Sequence, residues 1–490
     1  MNSFLMHWTF AIPEIWVLTM ACVVLLTDLF WGDRLRDLAV VLTVLTLIGA
    51  VVLTIFEMGQ SGTAFAGLFV LDPFTNVAEL FSYLAVLMVV LYSRRYLVDR
   101  GIYRGEVFVL LLFALLGIMV MVSGGSLLSI YLGLELLALS QYALVAFYRD
   151  SVVATEAGLK YFVLGALASG MLLYGMSLLY GLTGTLDVRN IAGALVNVTA
   201  SNLVLVFAIV FIVAGIAFKL GAAPFHMWLP DVYQGAPTVV TAFLASAPKI
   251  GAFALIIRLL VDGGYGMLES WQQIFVALSL VSLVVGNVIA IAQQNIKRML
   301  AYSTVGHVGF LSLGIVAGTE AGLASAFFYT VVYVLMSLAG FGMIMLLSRA
   351  GFEAERIDDF KGLAQRKPWY AFLMLIIMFS MAGVPPTVGF YAKLAVFQAV
   401  IAAGYVWLAV IGVLLAVIGA FYYLRVVKVM YFDKADAETG VIVRDDLAST
   451  ALSITSLALL VLGTDILGPE AGGTDVIGEE EGGTDIVRPQ

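Results

Sequence analysis

Charge is scarce in this sequence, and the scarcity excludes more than any motif does. Only 12% of the 490 residues are Asp, Glu, Lys or Arg, roughly half the share of an ordinary soluble domain. Hydrophobic residues make up 62%, so a soluble globular chain is excluded and a polytopic membrane protein remains. Cysteine occurs once, at Cys22, which excludes a disulfide framework, a CxxC zinc site and an iron–sulfur cluster held by this chain alone. The sequence has no GxxxxGK[ST] phosphate loop, no GxGxxG fingerprint and no cluster of His or Cys at ligand spacing. No motif therefore offers a nucleotide, metal or haem site. A positive n-region with a cleavage site is also lacking, so the first apolar run reads as a retained helix. The net charge of −8 says little about partners, because much of it sits in the C-terminal tail, and no nucleic-acid partner is expected.

What the sequence has in plenty is apolar length. A spanning helix needs about 20 apolar residues. Such runs occupy 11–30, 38–56, 73–97, 106–123, 126–148, 152–181, 201–225, 237–261, 272–292, 296–318, 322–348, 369–400, 404–432 and, more briefly, 448–463. The expectation is an all-α protein of about 14 transmembrane helices in the lipid bilayer. Basic residues orient it, since Lys and Arg gather on the cytoplasmic side. With both termini outside, eighteen of the 25 basic residues fall on inside loops and inner helix ends. Arg189, Arg258 and Arg488 fall outside, and Lys160, Lys219, Lys249 and Lys393 fall within spans.

Two spans are interrupted, the seventh at "KLGAAPFH" and the twelfth at "MAGVPPTVGFYAK". Proline removes a backbone donor and clashes with the preceding turn, and freed backbone at membrane depth needs protein or water to satisfy it. The breaks are five spans apart. Spans 4–8 and 9–13 then form two five-helix units, and an odd number of helices per unit inverts the second relative to the first, a transporter design. The expected organisation is three helices over 1–105, a first unit over 106–262 and a second over 272–432. A short last helix over 448–463 and an acidic, Gly-rich tail over 464–490 follow. Gly-Thr-Asp recurs every ten residues from Gly463 into that tail.

An ionisable side chain inside a membrane is a functional candidate by default. Glu135 lies mid-span in "SIYLGLELLALSQYAL", where it is either a neutral, hydrogen-bonded acid or a carboxylate tuned by a nearby lysine. Lys219 sits beside the first break, Lys249 about twelve residues into span 8, and Lys393 just past the second break. Snorkelling to an interface is the plain alternative for a lysine, and depth in the run speaks against it. Lys393 takes the place in the second unit that Lys219 suggests in the first. Lys160 follows Glu156 by one turn near the inner end of span 6, where snorkelling and function are both open. His307, in "YSTVGHVGF", is either a proton relay or a buried histidine making structural hydrogen bonds. His226 and Asp231 could cap exposed backbone or line the inner entrance. Glu79 in span 3 and His7 near the surface carry no assigned role.

These residues carry a family resemblance. "FKLGAAPFHMWLPDVYQGAP", "QQNIKRMLAYSTVGHVGF" and "AGVPPTVGFYAK" resemble the antiporter-like membrane subunits of the proton-translocating NADH–quinone oxidoreductase, respiratory complex I, over residues 5–460. Val232 and Tyr233 after "WLPD", and Lys393 in the twelfth span, favour the subunit N type over subunits L and M and the cation/proton antiporter subunits. The resemblance implies fourteen helices, two inverted five-helix repeats and a proton path through Glu135, Lys219, Lys249 and Lys393. It implies no cofactor in this chain, with NAD, FMN, iron–sulfur clusters and quinone in partner subunits. It implies a role in a translocase of the bacterial inner (plasma) membrane, beside subunits K and M and the lateral helix of subunit L. The tail after Leu462 departs from the family pattern, which completes an apolar fourteenth helix. The competing readings are a multisubunit cation/proton antiporter and a non-transporting scaffold.

Overall fold

The computed structural model describes residues 8–32, 36–195, 198, 202–264, 267–435 and 445–466. His7, Arg444, Arg488 and most of the Gly-Thr-Asp tail lie outside the described residues. Among the described residues, fourteen apolar helical segments cross the bundle, two of them broken. They are α1 Ile12–Trp31, α2 Arg36–Glu57, α3 Pro73–Asp99, α4 Glu106–Val122, α5 Leu127–Val145 and α6 Val152–Thr183. The seventh is α7a Leu203–Leu220, continued by α7b Trp228–Gly235. Then come α8 Thr238–Asp262, α9 Leu268–Ile291, α10 Ile296–Ala317 and α11 Glu320–Leu347. The broken pair α12a Pro368–Ala382 and α12b Val388–Ala402, α13 Val406–Phe432 and α14 Asp446–Ile466 complete the set. Twelve segments are individually long and apolar enough to span a membrane, and α4 and the α12a–α12b pair are the shorter ones. The last helix, at 21 residues, extends past its apolar run at both ends.

The helices are not equally sheltered. In α8 and α10, 94% of the most apolar stretch is buried, and in α11 89%, against 33% in α1 and α2 and 39% in α6 and α13. The first three form the centre, and the others turn apolar faces outward. Lipid is as apolar as leucine, so helix association in a membrane relies on close packing and interhelical hydrogen bonds. Small residues provide the closeness: a Cβ on Gly286 of α9 would lie 2.3 Å from the Gly306 nitrogen of α10.

At the end of the bundle where α1 begins, here end A, the chain between α2 and α3 adds an element that periodicity did not suggest. Strands β1 Gly62–Ala64 and β2 Phe69–Leu71 pair antiparallel, with Thr63 opposite Val70. Asp72 then caps α3 by accepting from the Thr75 N–H at 2.7 Å, ahead of Pro73. Arg258, expected on the outer side at the end of its apolar run, is buried in a π-helical turn at the end of α8. Its guanidinium reaches the Val122 carbonyl (2.8 Å), Asp72 (2.7 Å), Asp262 (2.9 Å) and Thr75 Oγ1 (2.8 Å). Burying a charge is tolerable only with such full pairing, and the arginine ties the ends of α3, α4 and α8 together.

End B, opposite, carries most of the basic residues. Glu353, between α11 and α12a, accepts from Tyr96 of α3, from Arg100 just past the end of α3 and from Thr238 at the start of α8. Burial alone would push the Glu353 carboxyl up, but Lys297, Arg100 and Thr238 hold it below the usual carboxylate range.

Candidate functional site

Both breaks follow one local design. α7a ends at Leu220, and Gly221 takes the left-handed conformation at φ +83°. Gly221 N–H donates to Ala217 O at 2.9 Å, and Ala222 N–H reaches the same oxygen at 2.8 Å. α12a ends at Ala382, with Gly383 at φ +82°. Gly383 and Val384 N–H both donate to Phe379 O at 2.9 Å. Left-handed glycine is the common way to stop a helix, and in each segment a proline stands three residues after it, Pro224 and Pro386.

A helix stopped inside a membrane exposes its last carbonyls, and here two lysines meet them. Lys249 Nζ, from α8, donates to Leu220 O at 2.7 Å. Lys393 Nζ, from α12b, donates to Ala382 O at 2.7 Å and Met381 O at 3.1 Å. Both side chains are buried, at 3% and 7% exposure. Cations are favoured at helix C-termini, so each ammonium sits where the backbone dipoles converge. Two further freed groups at the first break are satisfied: Trp228 Nε1 donates to Phe218 O (3.0 Å), and Ala223 N–H donates to Ser282 Oγ (2.9 Å). Sequence reasoning paired Lys393 with Lys219. By distance from the glycine, Met381 corresponds to Lys219, and by what it binds, Lys393 corresponds to Lys249.

Lys219 has a different setting. Its Nζ is buried with no hydrogen-bond partner, as is Glu135 Oε1 on α5. The two side chains lie within electrostatic reach of each other without forming an ion pair at 4.0 Å. A narrow cavity lined by Lys219, Leu134, Gln141, Tyr161, Trp228 and Pro248 lies beside them, with room for roughly one water molecule. Tyr161 OH donates to Gln141 Oε1 at 2.9 Å, and its ring stacks on Trp228 at 4.6 Å. The Trp228 ring centroid in turn lies 5.7 Å from Lys249 Nζ.

In the second half, His307 of α10 is fully buried between two phenols. Its Nδ1 lies 2.8 Å from Tyr329 OH and its Nε2 3.0 Å from Tyr423 OH. Tyr423 OH also meets Ser303 Oγ, and Thr304 Oγ1 meets Tyr333 OH at 2.7 Å. Lys393 and His307 line one enclosed space with Asn287, Phe310 and Tyr422, too tight for water. Tyr233 of α7b stands between the halves, edge-on to Trp228 and Phe341, with its buried hydroxyl lacking a close partner. These tyrosines escaped sequence reasoning. Aromatic residues are too common in the runs to signal a network without the helix packing.

The other candidates lie towards end B. Lys160 forms ion pairs with Glu156 (2.9 Å) and Asp231 (3.0 Å), and Asp231 pairs also with Arg298 of α10 (2.7 Å). His226 is half-buried, 6.2 Å between ring centroids from Tyr302, with Nδ1 unpartnered. Among the described residues no three of His, Cys, Asp and Glu gather as metal ligands would.

The comparisons agree with this architecture. The family model described as NADH:quinone oxidoreductase/Mrp antiporter, transmembrane, matches residues 124–419. NADH-quinone oxidoreductase subunit N of Acidithiobacillus ferrooxidans is 92% identical over 463 residues, 94% of this chain and 96% of that protein. Subunit N of Thiobacillus denitrificans is 57% identical over 94% of this chain and 95% of its own length. Among solved structures, a chain of respiratory complex I from Thermus thermophilus superposes with TM-score 0.79 at 28% identity, covering 92% of this chain and 97% of that one. A chain of an archaeal membrane-bound sulfane sulfur reductase does so with TM-score 0.84 at 25% identity, covering 94% of each. The chain belongs to the NADH-quinone oxidoreductase subunit N family, the antiporter-like membrane subunits of complex I.

Proposed function

We propose that this chain translocates protons as a membrane-arm subunit of a bacterial NADH–quinone oxidoreductase, along a row formed by Glu135, Lys219, Lys249 and Lys393. The observation that carries the reading is the capping of both helix breaks by a deep lysine. An ammonium held by carbonyl dipoles is a fixed proton-holding post that adds no counter-charge. Glu135 and Lys219 act as an electrostatic couple that takes a proton from end B, with the adjoining cavity admitting water. Lys249 holds the proton at the centre. The His307 cage relays it to Lys393, which passes it towards end A. Lys160 and His226 serve the entrance, where Asp231 joins the two halves.

In this reading residues 106–262 and 272–432 are two inverted five-helix units, each with its break in the fourth helix, supported by the matched glycine turns. End B faces the cytoplasm and both termini face the periplasm, in keeping with the basic residues near end B. NADH oxidation and quinone reduction, with FMN and iron–sulfur clusters, belong to partner subunits, and subunits K and M and the lateral helix of subunit L are the neighbours. The test reconstitutes the whole complex in liposomes carrying Lys219→Ala or Glu135→Ala and measures proton release per NADH oxidised. A fall in both variants is expected. Normal pumping in both removes these residues from the path, and sodium rather than proton transport assigns the chain to the antiporter reading.

A further inference from the structure

Three carboxylates outside the lysine row converge at end A. Glu14 stands in the first turn of α1, Glu57 is the last residue of α2, and Glu79 is the seventh of α3. They are 8%, 8% and 2% exposed. The Glu14 and Glu79 carboxyls face each other at hydrogen-bonding approach, and Glu57 lies within electrostatic reach of both. Tyr83 OH donates to Glu79 Oε2 at 2.8 Å and meets Thr54 Oγ1 at 3.3 Å. Ser123, at the end of α4, also faces Glu14. No Lys or Arg forms an ion pair with the three among the described residues.

The hydrogen bonding does not close. Glu14 Oε1, Glu14 Oε2 and Glu79 Oε1 are all buried without forming a hydrogen bond, the Ser123 hydroxyl donating instead to Met119 O at 2.9 Å. Ionised carboxylates are acceptors only, and two of them in contact away from water do not both ionise. A metal ion would need several oxygen ligands gathered around one point, and no such grouping exists among the described residues. A single proton resolves the arrangement: it turns one carboxyl into a donor towards the other, while the Tyr83 phenol fixes Glu79 Oε2.

We propose that Glu14 and Glu79 form a shared-proton carboxyl pair, a proton-holding site separate from the lysine row. Glu57 separates the pair from the exposed turn at Met58–Gln60 and is the route by which the proton exchanges at end A. Helix α3, which carries Glu79, also packs on the helix that carries Lys249. Thr75, one turn before Glu79, is held by Arg258 at the far end of α8, so a charge appearing at Glu79 acts on the anchorage of α8.

The test is infrared spectroscopy of the intact complex, comparing the deuterium-sensitive band of protonated carboxyls between wild type and variants. Glu14→Gln and Glu79→Gln should each lose the intensity of one carboxyl, and the double variant should lose no more than either single. Glu57→Gln should keep the band. Glu79→Asp, which retains the acid if a glutamine variant fails to assemble, should shift the band without removing it. Unchanged intensity in every variant means an ionised pair, a twofold loss in the double variant means two independent acids, and a wild-type band abolished by sodium ions means a cation occupant; each overturns the proposal. The readout is independent of pumping, so it stands or falls apart from the lysine row.

Discussion

Gly383→Ala perturbs the lysine row without touching a titratable group. An L-residue in the left-handed region costs roughly 1–2 kcal/mol. Gly404, at φ +87° with nothing within 4 Å of an added Cβ, supplies that cost alone. At Gly383 the added Cβ would lie 2.8 Å from Lys393 Cδ and 3.2 Å from its Nζ, so the lysine has to move. Moving it takes the donor from Met381 O and Ala382 O, both inside the bundle. A buried carbonyl left without a partner costs about 1–3 kcal/mol. Gly383→Ala should therefore exceed Gly404→Ala, by up to roughly 6 kcal/mol where both bonds are lost. The assays are the apparent unfolding temperature of the purified complex and proton release per NADH oxidised in liposomes. Gly404→Ala should show a small thermal shift and normal pumping, and Gly383→Ala a large shift and impaired pumping. Equal behaviour of the two would refute the idea that the break positions Lys393.

Further expectations follow from other contacts. Lys249→Met removes the donor from one carbonyl where Lys393→Met removes it from two, so thermal unfolding should show about half the loss for Lys249→Met. Arg258→Gln leaves Asp72 and Asp262 facing each other and should cost about 3 kcal/mol, visible as reduced assembly on native gels. His307→Phe breaks both phenol contacts and should destabilise by about 1–3 kcal/mol while lowering proton release. The Glu353 carboxyl is held below its unfolded value. Its contribution is therefore complete above the unfolded value and is lost as pH falls through the lower folded one. Wild-type stability should be level at this site from about pH 6 to 8, and Glu353→Gln should be destabilised across that range, leaving Arg100 and Lys297 without their carboxylate.

The sequence disclosed whatever it writes locally. Gly221, Pro224, Gly383 and Pro386 marked both breaks because helix termination is a property of a few adjacent residues. The four deep charges stood out because apolar runs make any charge conspicuous. What it concealed depends on pairing across the bundle. The Leu220 carbonyl that Lys249 binds is 29 residues away, and Tyr423, which binds His307, is 116 away. Arg258 read as an outer helix-end charge, and its burial went unseen because most of its partners come from the ends of α3 and α4. Glu79 was visible as a buried acid, but nothing in its run pointed to Glu14. The hairpin Gly62–Leu71 was too short to show a period, with three residues per strand.

The lysine caps have an outcome for the transport cycle. An ammonium carries three N–H bonds, and the neutral amine keeps two, as many as the carbonyls that Lys393 serves. Surrendering the proton weakens the attraction to the dipoles but leaves every latch fastened. The kinks can thus stay in register from one turnover to the next, and loading and unloading need not be accompanied by rewinding.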